Sequence, residues 1–120
     1  MKILIVDDSK VMRKIVQRTL RQAGFGGHTI SEAANGVEAF DAISADKPDL
    51  VLSDWNMPEM TGIELLRKLK SEGVDVRFGF VTSEGTPDMR ATAAEEGAMF
   101  LIAKPFTADS FQENLTPVLG

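Results

Sequence analysis

Two apolar runs in this chain each stop abruptly on acid. Lys2-Ile3-Leu4-Ile5-Val6 runs into Asp7-Asp8, and Leu50-Val51-Leu52-Ser53 runs into Asp54-Trp55-Asn56. A buried strand that ends on a carboxylate carries that charge to the rim of a sheet. Two such strands side by side would gather Asp7, Asp8 and Asp54 in one pocket. Crowded, desolvated like charges resist ionisation, and a fold keeps them mainly where a cation or a reaction uses them. A carboxylate in that place can attack phosphorus and form an acyl phosphate. That step depends on in-line geometry and charge neutralisation more than on covalent help. Mg²⁺ suits the neutralising role, held by one or two carboxylates with waters and substrate oxygens. Each acid also has a plainer reading: Asp8 or Ser9 as a helix cap, Asp54 as a turn former. Two adjacent acids exceed what a cap requires.

The elements that must position these groups alternate along the whole chain. Residues 3–6 form a short, branched, continuous run, as in a strand covered on both faces. Met12, Ile15, Val16, Leu20 and Ala23 share one helical stripe, which Gly24 and Gly26-Gly27 end. A second strand is expected over residues 29–33. Asn35, with Glu38 three residues on, caps a helix reaching about Ala45, and Pro48 blocks its continuation. Residues 50–53 are the third strand. Thr61 and Glu64 form a capping-box pattern for a helix carrying Leu65, Leu66 and Leu69. A fourth strand follows over 77–81, with Gly79 inside it marking a close backbone approach. Thr86 and Pro87 then fit the N-cap and first position of a fourth helix, which Gly97 ends. Residues 99–102 are the fifth strand. Thr107 caps a last helix with Phe111, Leu115, Val118 and Leu119 inward. Strand and helix in strict alternation give an α/β domain over residues 1–120: a mostly parallel sheet with helices on both faces and right-handed crossovers. Ligands of such sheets sit beyond the carboxyl ends of the strands.

Two more strand ends therefore bear on the chemistry. The fourth leads into Thr82, Ser83 and Glu84. Thr82 lies early for a cap of a helix starting near Pro87, and its hydroxyl is placed to bond a phosphoryl oxygen. The fifth leads into Lys104-Pro105-Phe106. Surface solvation is the ordinary reading of a single lysine, but this one stands at the functional rim, where a compact ammonium suits a phosphoryl oxygen.

The bulk of the sequence narrows the classes. Its 120 residues hold 18 acidic against 13 basic side chains, a formal net charge of -5, and no cysteine. The acidic balance argues against nucleic-acid binding, for which a basic stripe is the expected footprint. Without cysteine there is no disulfide framework, zinc-thiolate site or thiol nucleophile. No apolar stretch is long enough to cross a bilayer, and Met1 leads straight into a strand rather than a signal peptide. These features lead us to expect a cytoplasmic protein without membrane insertion. His28, the one histidine, reads as a loop or strand-edge residue rather than a phosphorylation site. Met12, Met57, Met60, Met89 and Met99 read as packing or loop residues. The alanine-rich helix over 87–96 has few large apolar residues, which suits a lightly anchored, mobile element.

Asp7-Asp8, the run Ser53-Asp54-Trp55-Asn56-Met57-Pro58, Thr82 and Lys104-Pro105-Phe106 together resemble the response-regulator receiver domain, and the likeness covers essentially the whole chain. The resemblance is strongest to the chemotaxis branch of that family. It implies a flavodoxin-like (βα)5 doubly wound sandwich with a five-stranded parallel sheet of order 2-1-3-4-5. It also implies that Asp54 is the phospho-acceptor, and that Asp7, Asp8 and Asp54 with the Asn56 carbonyl hold Mg²⁺, Asp8 the more directly of the two leading acids. Thr82 is then the switch hydroxyl and Lys104 the partner of the phosphoryl group, with a Lys104-Pro105 peptide that is often cis in the family. Asn56 and Glu84 stand at positions that modulate the phosphoryl lifetime. The implied partners are a histidine kinase or phosphotransfer protein and a downstream protein bound on the face of helix 4, strand 5 and helix 5. Two positions depart from the pattern. Leu101 stands where the family usually has an aromatic residue, with neighbouring Phe100 expected on the opposite face. Thr61 stands where Asp is common, and both are good caps. The alternative from another class is a haloacid-dehalogenase-like, Mg²⁺-dependent phosphatase. It would need an acid/base Asp where this chain has Asn56.

Overall fold

The computed structural model describes residues 1–104 and 106–119. In chain order the elements are β1 Lys2–Val6, α1 Lys10–Gln22, β2 Thr29–Ala33, α2 Gly36–Ala45, β3 Leu50–Ser53, α3 Gly62–Ser71, β4 Arg77–Thr82, α4 Pro87–Glu95, β5 Leu101–Ala103 and α5 Ala108–Leu119. The strands form one sheet of order β2-β1-β3-β4-β5, and every neighbouring pair is parallel. This is the expected flavodoxin-like (βα)5 sandwich.

The period-2 direction of strand side chains divides the core in two. Ile3, Ile5, Leu50, Leu52, Val81 and Ile102 face a layer holding Val16 and Leu20 of α1 and Phe111 and Leu115 of α5. Leu4, Val6, Val51, Phe78, Phe80 and Leu101 face the opposite layer, with Ile43 of α2, Leu65 and Leu69 of α3 and Ala93 of α4. Because both faces are covered, residues 3–6 of β1 and 50–52 of β3 are continuously apolar rather than alternating, as in parallel sheets generally.

The caps follow the sequence. Ser9, rather than Asp8, caps α1 and accepts from the Met12 N–H. Asn35 accepts from the Glu38 N–H, Thr61 and Glu64 complete a capping box, and Thr86 accepts from the Met89 N–H. At α5 the Ser110 N–H donates to Thr107 Oγ1. Two strand boundaries differ from expectation. β4 extends through Thr82, so that hydroxyl stands on the last residue of a strand rather than after it. β5 begins at Leu101 rather than Met99. Met99 and Phe100 still bond to β4, through Met99 N–H to Phe78 O at 2.8 Å and Phe80 N–H to Phe100 O at 3.0 Å. The close approach expected at Gly79 is to the Phe100 ring, which a Cβ there would strike. The expected Lys104-Pro105 peptide geometry lies outside the described residues.

Candidate functional site

Pairing of β1 with β3 sets Val6 opposite Ser53, so the next residue on each strand is an aspartate at the same rim. The ladder continues one step past the strands. The Asp54 N–H donates to Val6 O at 2.8 Å and the Asp7 N–H to Ala33 O at 3.1 Å. Both acidic backbones are thus fixed by the sheet rather than left to a loop. One carboxylate oxygen from each of Asp7, Asp8 and Asp54 lies within 4.8 Å of the other two. Burial grades across the trio: Asp7 is 6% exposed, Asp54 is half-buried and Asp8 is exposed.

This crowding has an electrostatic signature. Burial pushes the Asp7 carboxyl up to about 6. The Ser9 N–H, donating to Asp7 Oδ1 at 2.9 Å, and Lys104 oppose the shift, while the charges of Asp54 and Asp8 add to it. Burial also raises the Asp54 carboxyl. It is held down by the Trp55 N–H, which donates to Asp54 Oδ1 at 2.8 Å, by the Thr82 hydroxyl and by the positive charge of Lys104. All-oxygen donors, strained by mutual repulsion and open on the Asp8 side, fit a hard divalent cation such as Mg²⁺.

The remaining predicted residues converge from the other two strand ends. Thr82 is fully buried, and its Oγ1 accepts a long hydrogen bond from the Glu84 N–H at 3.4 Å. The Lys104 N–H donates to Thr82 O at 2.9 Å, locking the ends of β4 and β5 together. The side chains of Asn56 and Glu84 are exposed on the loops that leave β3 and β4. Leu101 is apart from the rim, buried in the core layer of α2, α3 and α4, whereas Phe100 packs on the α1 and α5 side.

Three residues support the site in ways the sequence does not assign: Gly62 and Arg13 were not singled out, and Ser53 entered only as part of the motif run. Gly62 opens α3 and donates its N–H to Trp55 O at 2.8 Å. A Cβ there would collide with the Asp54 carbonyl oxygen and the Phe80 ring. A glycine directly after the Thr61 cap, where any helix former would serve, was the available signal. Arg13 Nη1 donates to Asp7 O at 2.7 Å, while its Nε pairs with Glu32 Oε1 at 2.9 Å. Nothing in one sequence separates it from the other basic residues of α1. Ser53 Oγ donates to the Asp54 carbonyl at 2.8 Å, a role hidden within an apolar run.

Residues 3–116 match the family model described as the response regulator receiver domain. The chain belongs to the response-regulator receiver family. This receiver is 40% identical over 123 residues to chemotaxis protein CheY1 of Helicobacter pylori, a match covering 100% of the chain and 98% of that protein. It is 42% identical over 123 residues to a chemotaxis protein CheY homolog of Campylobacter jejuni, covering 100% of the chain and 93% of the relative. Among solved structures, Vibrio cholerae chemotaxis protein CheY4 superposes with a TM-score of 0.84 at 32% identity, over 98% of each chain. A LuxR-family DNA-binding response regulator of Staphylococcus aureus superposes at 0.85 with 22% identity, over 98% of this chain and 97% of that one. At that identity the likeness shows the fold alone. This receiver is a two-component signalling domain, and the comparisons lend no support to the phosphatase alternative. Among the described residues, no helix is long and apolar enough to cross a membrane.

Proposed function

We propose that this receiver is a phosphorylation-driven switch of the chemotaxis type, with Asp54 as phospho-acceptor. The observation that carries the reading is the meeting of three carboxylate oxygens within 4.8 Å at the ends of two adjacent strands, with Thr82 and Lys104 both acting on Asp54. An Asp54 carboxylate oxygen attacks the phosphorus of a phosphohistidine on a histidine kinase or phosphotransfer protein, or of a small acyl phosphate. The bond from phosphorus to the leaving nitrogen or oxygen breaks, and the leaving group takes the electron pair. Asp7, Asp8, Asp54 and the Asn56 carbonyl would hold Mg²⁺, which when bound supplies neutralisation of the charge on the transferring group. Lys104 pairs with the phosphoryl oxygens, and the Thr82 hydroxyl moves to bond one of them. Asn56 and Glu84 flank the path by which water reaches the acyl phosphate and so modulate its lifetime.

The signal leaves through the face of α4, β5 and α5, where a downstream protein binds in the cytoplasm. Support for movement there is the light anchoring of α4, in which Ala93 is the one fully buried residue. Hydrolysis of the protein's own phosphoryl group returns the switch, and no external phosphomonoester is turned over. The test is phosphorylation by acetyl phosphate with Mg²⁺, followed by mass spectrometry. The wild type gains one phosphoryl group and Asp54→Asn gains none. Uptake by Asp54→Asn at the wild-type rate would sink the assignment.

A further inference from the structure

β5 is an edge strand, and its carbonyls alternate in direction. Phe100 and Lys104 turn their backbone groups toward β4. Leu101, of the opposite parity, turns its carbonyl to the open edge of the sheet, where an unpaired group invites a partner. The partner here is Arg90, on the first turns of α4. Arg90 Nη1 donates to Leu101 O at 3.0 Å, and Arg90 Nε donates to Gly85 O at 3.3 Å. One guanidinium thus ties the loop after β4 to the edge of β5. Gly85 is seated tightly beneath it. A Cβ on Gly85 would stand 2.8 Å from Ala103 Cβ and 3.0 Å from Arg90 Nη2.

We propose that Arg90 is a positioning residue for the switch: a latch that holds the β4–α4 loop against β5 in the resting state and is released when Thr82 engages a phosphoryl group. The inference rests on Asp54 being the acceptor. Thr82 Oγ1 accepts from the Glu84 N–H, and Gly85 is the next residue. The Thr82 hydroxyl already acts on the Asp54 carboxylate. When it shifts to an oxygen of the bulkier phosphoryl group, the 3.4 Å bond from Glu84 is stretched and the loop must follow or part from it. Arg90 grips the loop at that next residue, so the latch opposes the motion. The fork geometry of a guanidinium suits this double hold, which the single ammonium of lysine cannot reproduce. Leu101, where an aromatic was expected, has a short aliphatic side chain buried in the core. It leaves the loop seat beside it to Gly85 and the guanidinium, so Arg90 supplies the tie between loop and β5.

The latch makes a directional claim. A ligand that favours the released state binds more weakly while the latch holds, and removing the latch removes that penalty. The probe is beryllofluoride with Mg²⁺, titrated into the whole chain and read by the fluorescence of Trp55, which adjoins Asp54 and packs at a tilt of 38° against Phe80 with ring centroids 4.8 Å apart. Arg90→Ala and Arg90→Met both tighten apparent beryllofluoride affinity by about 3- to 10-fold, the net contribution of an ordinary hydrogen bond, since Arg90 is exposed. Arg90→Lys falls between them and the wild type. Thermal melts of the ligand-free variants confirm that each is folded, and a merely structural Arg90 would weaken or leave unchanged the affinity rather than raise it. Equal or weaker binding by folded Arg90→Ala and Arg90→Met overturns the latch. A wild type that does not respond to beryllofluoride overturns the Asp54 assignment instead, so the two failures are distinguishable.

Discussion

At the scale of single residues, the site depends as much on a missing side chain as on the charged ones. Asp54 sits where the backbone leaving β3 must pass beneath α3, and Gly62 allows that passage because any Cβ would strike the Asp54 carbonyl and Phe80. Gly62→Ala should therefore destabilise the fold by about 1–3 kcal/mol, the usual cost of overpacking. Urea unfolding measures this. It should also slow acetyl-phosphate uptake, since the backbone that shifts carries the nucleophile. Stability within 0.5 kcal/mol of wild type, taken as roughly the scatter of neutral surface changes, would show that the loop yields freely. Thr61 one residue earlier behaves differently. Its hydroxyl accepts from the Glu64 N–H, as an Asp cap would. The Thr61 N–H and that same hydroxyl also donate to the Glu64 carboxyl and hold it below its ordinary range; an ionised Asp side chain has no proton to donate in this way.

At the scale of elements, much of the architecture is legible in the pattern of the sequence. The apolar runs at residues 3–6 and 50–53 have no polar face, which implies a sheet covered on both sides, and each helix carries its own cap. The acids, the threonine and the lysine fall at successive strand ends, so the site was readable once the sheet was parallel. Contacts between distant elements were not readable. Arg90 reaching Leu101, Arg13 reaching Asp7 and Gly62 meeting Asp54 depend on how helices are set against the sheet. A single sequence carries the spacing within an element but no distance between elements. The start of β5 was misplaced for a related reason: Met99 and Phe100 have strand composition and strand-like hydrogen bonds to β4, yet the regular ladder begins only at Leu101. Gly79 and Phe100 form one such pair that can be tested. Gly79→Ala should cost about 1–3 kcal/mol by pressing on the Phe100 ring. Adding Phe100→Leu should recover part of that loss, giving a coupling energy above about 0.5 kcal/mol in a double-mutant cycle. Additive losses would mean that the ring does not fill the space above Gly79.

At the scale of the whole molecule, the carboxylate cluster links phosphorylation competence to stability. The Asp7 carboxyl stands at about 6 in the fold against 3.8 in the unfolded chain. At pH below about 4 the proton is bound in both states and the group contributes nothing. Between about 4 and 6 the folded state keeps a proton that the unfolded state has lost, so the free energy of unfolding falls as pH rises. Above about 6 both states are ionised and the penalty is complete, on the order of 3 kcal/mol for this group. Asp54 is shifted in the same direction. Metal-free protein should therefore unfold at higher urea concentration at pH 5 than at pH 7, and Asp7→Asn should abolish most of that difference. Mg²⁺ offsets about half of that penalty at neutral pH, because a ligand at tenfold its dissociation constant adds about 1.4 kcal/mol. Its effect fades below pH 6 as protons compete for the same oxygens. Asp8→Ala, which removes the exposed member of the trio, should leave a stabler metal-free fold with little response to Mg²⁺. A full Mg²⁺ response in Asp8→Ala would place the cation elsewhere. A metal-free wild type equally stable at pH 5 and pH 7 would mean that the three carboxylates are solvated well enough to ionise without strain.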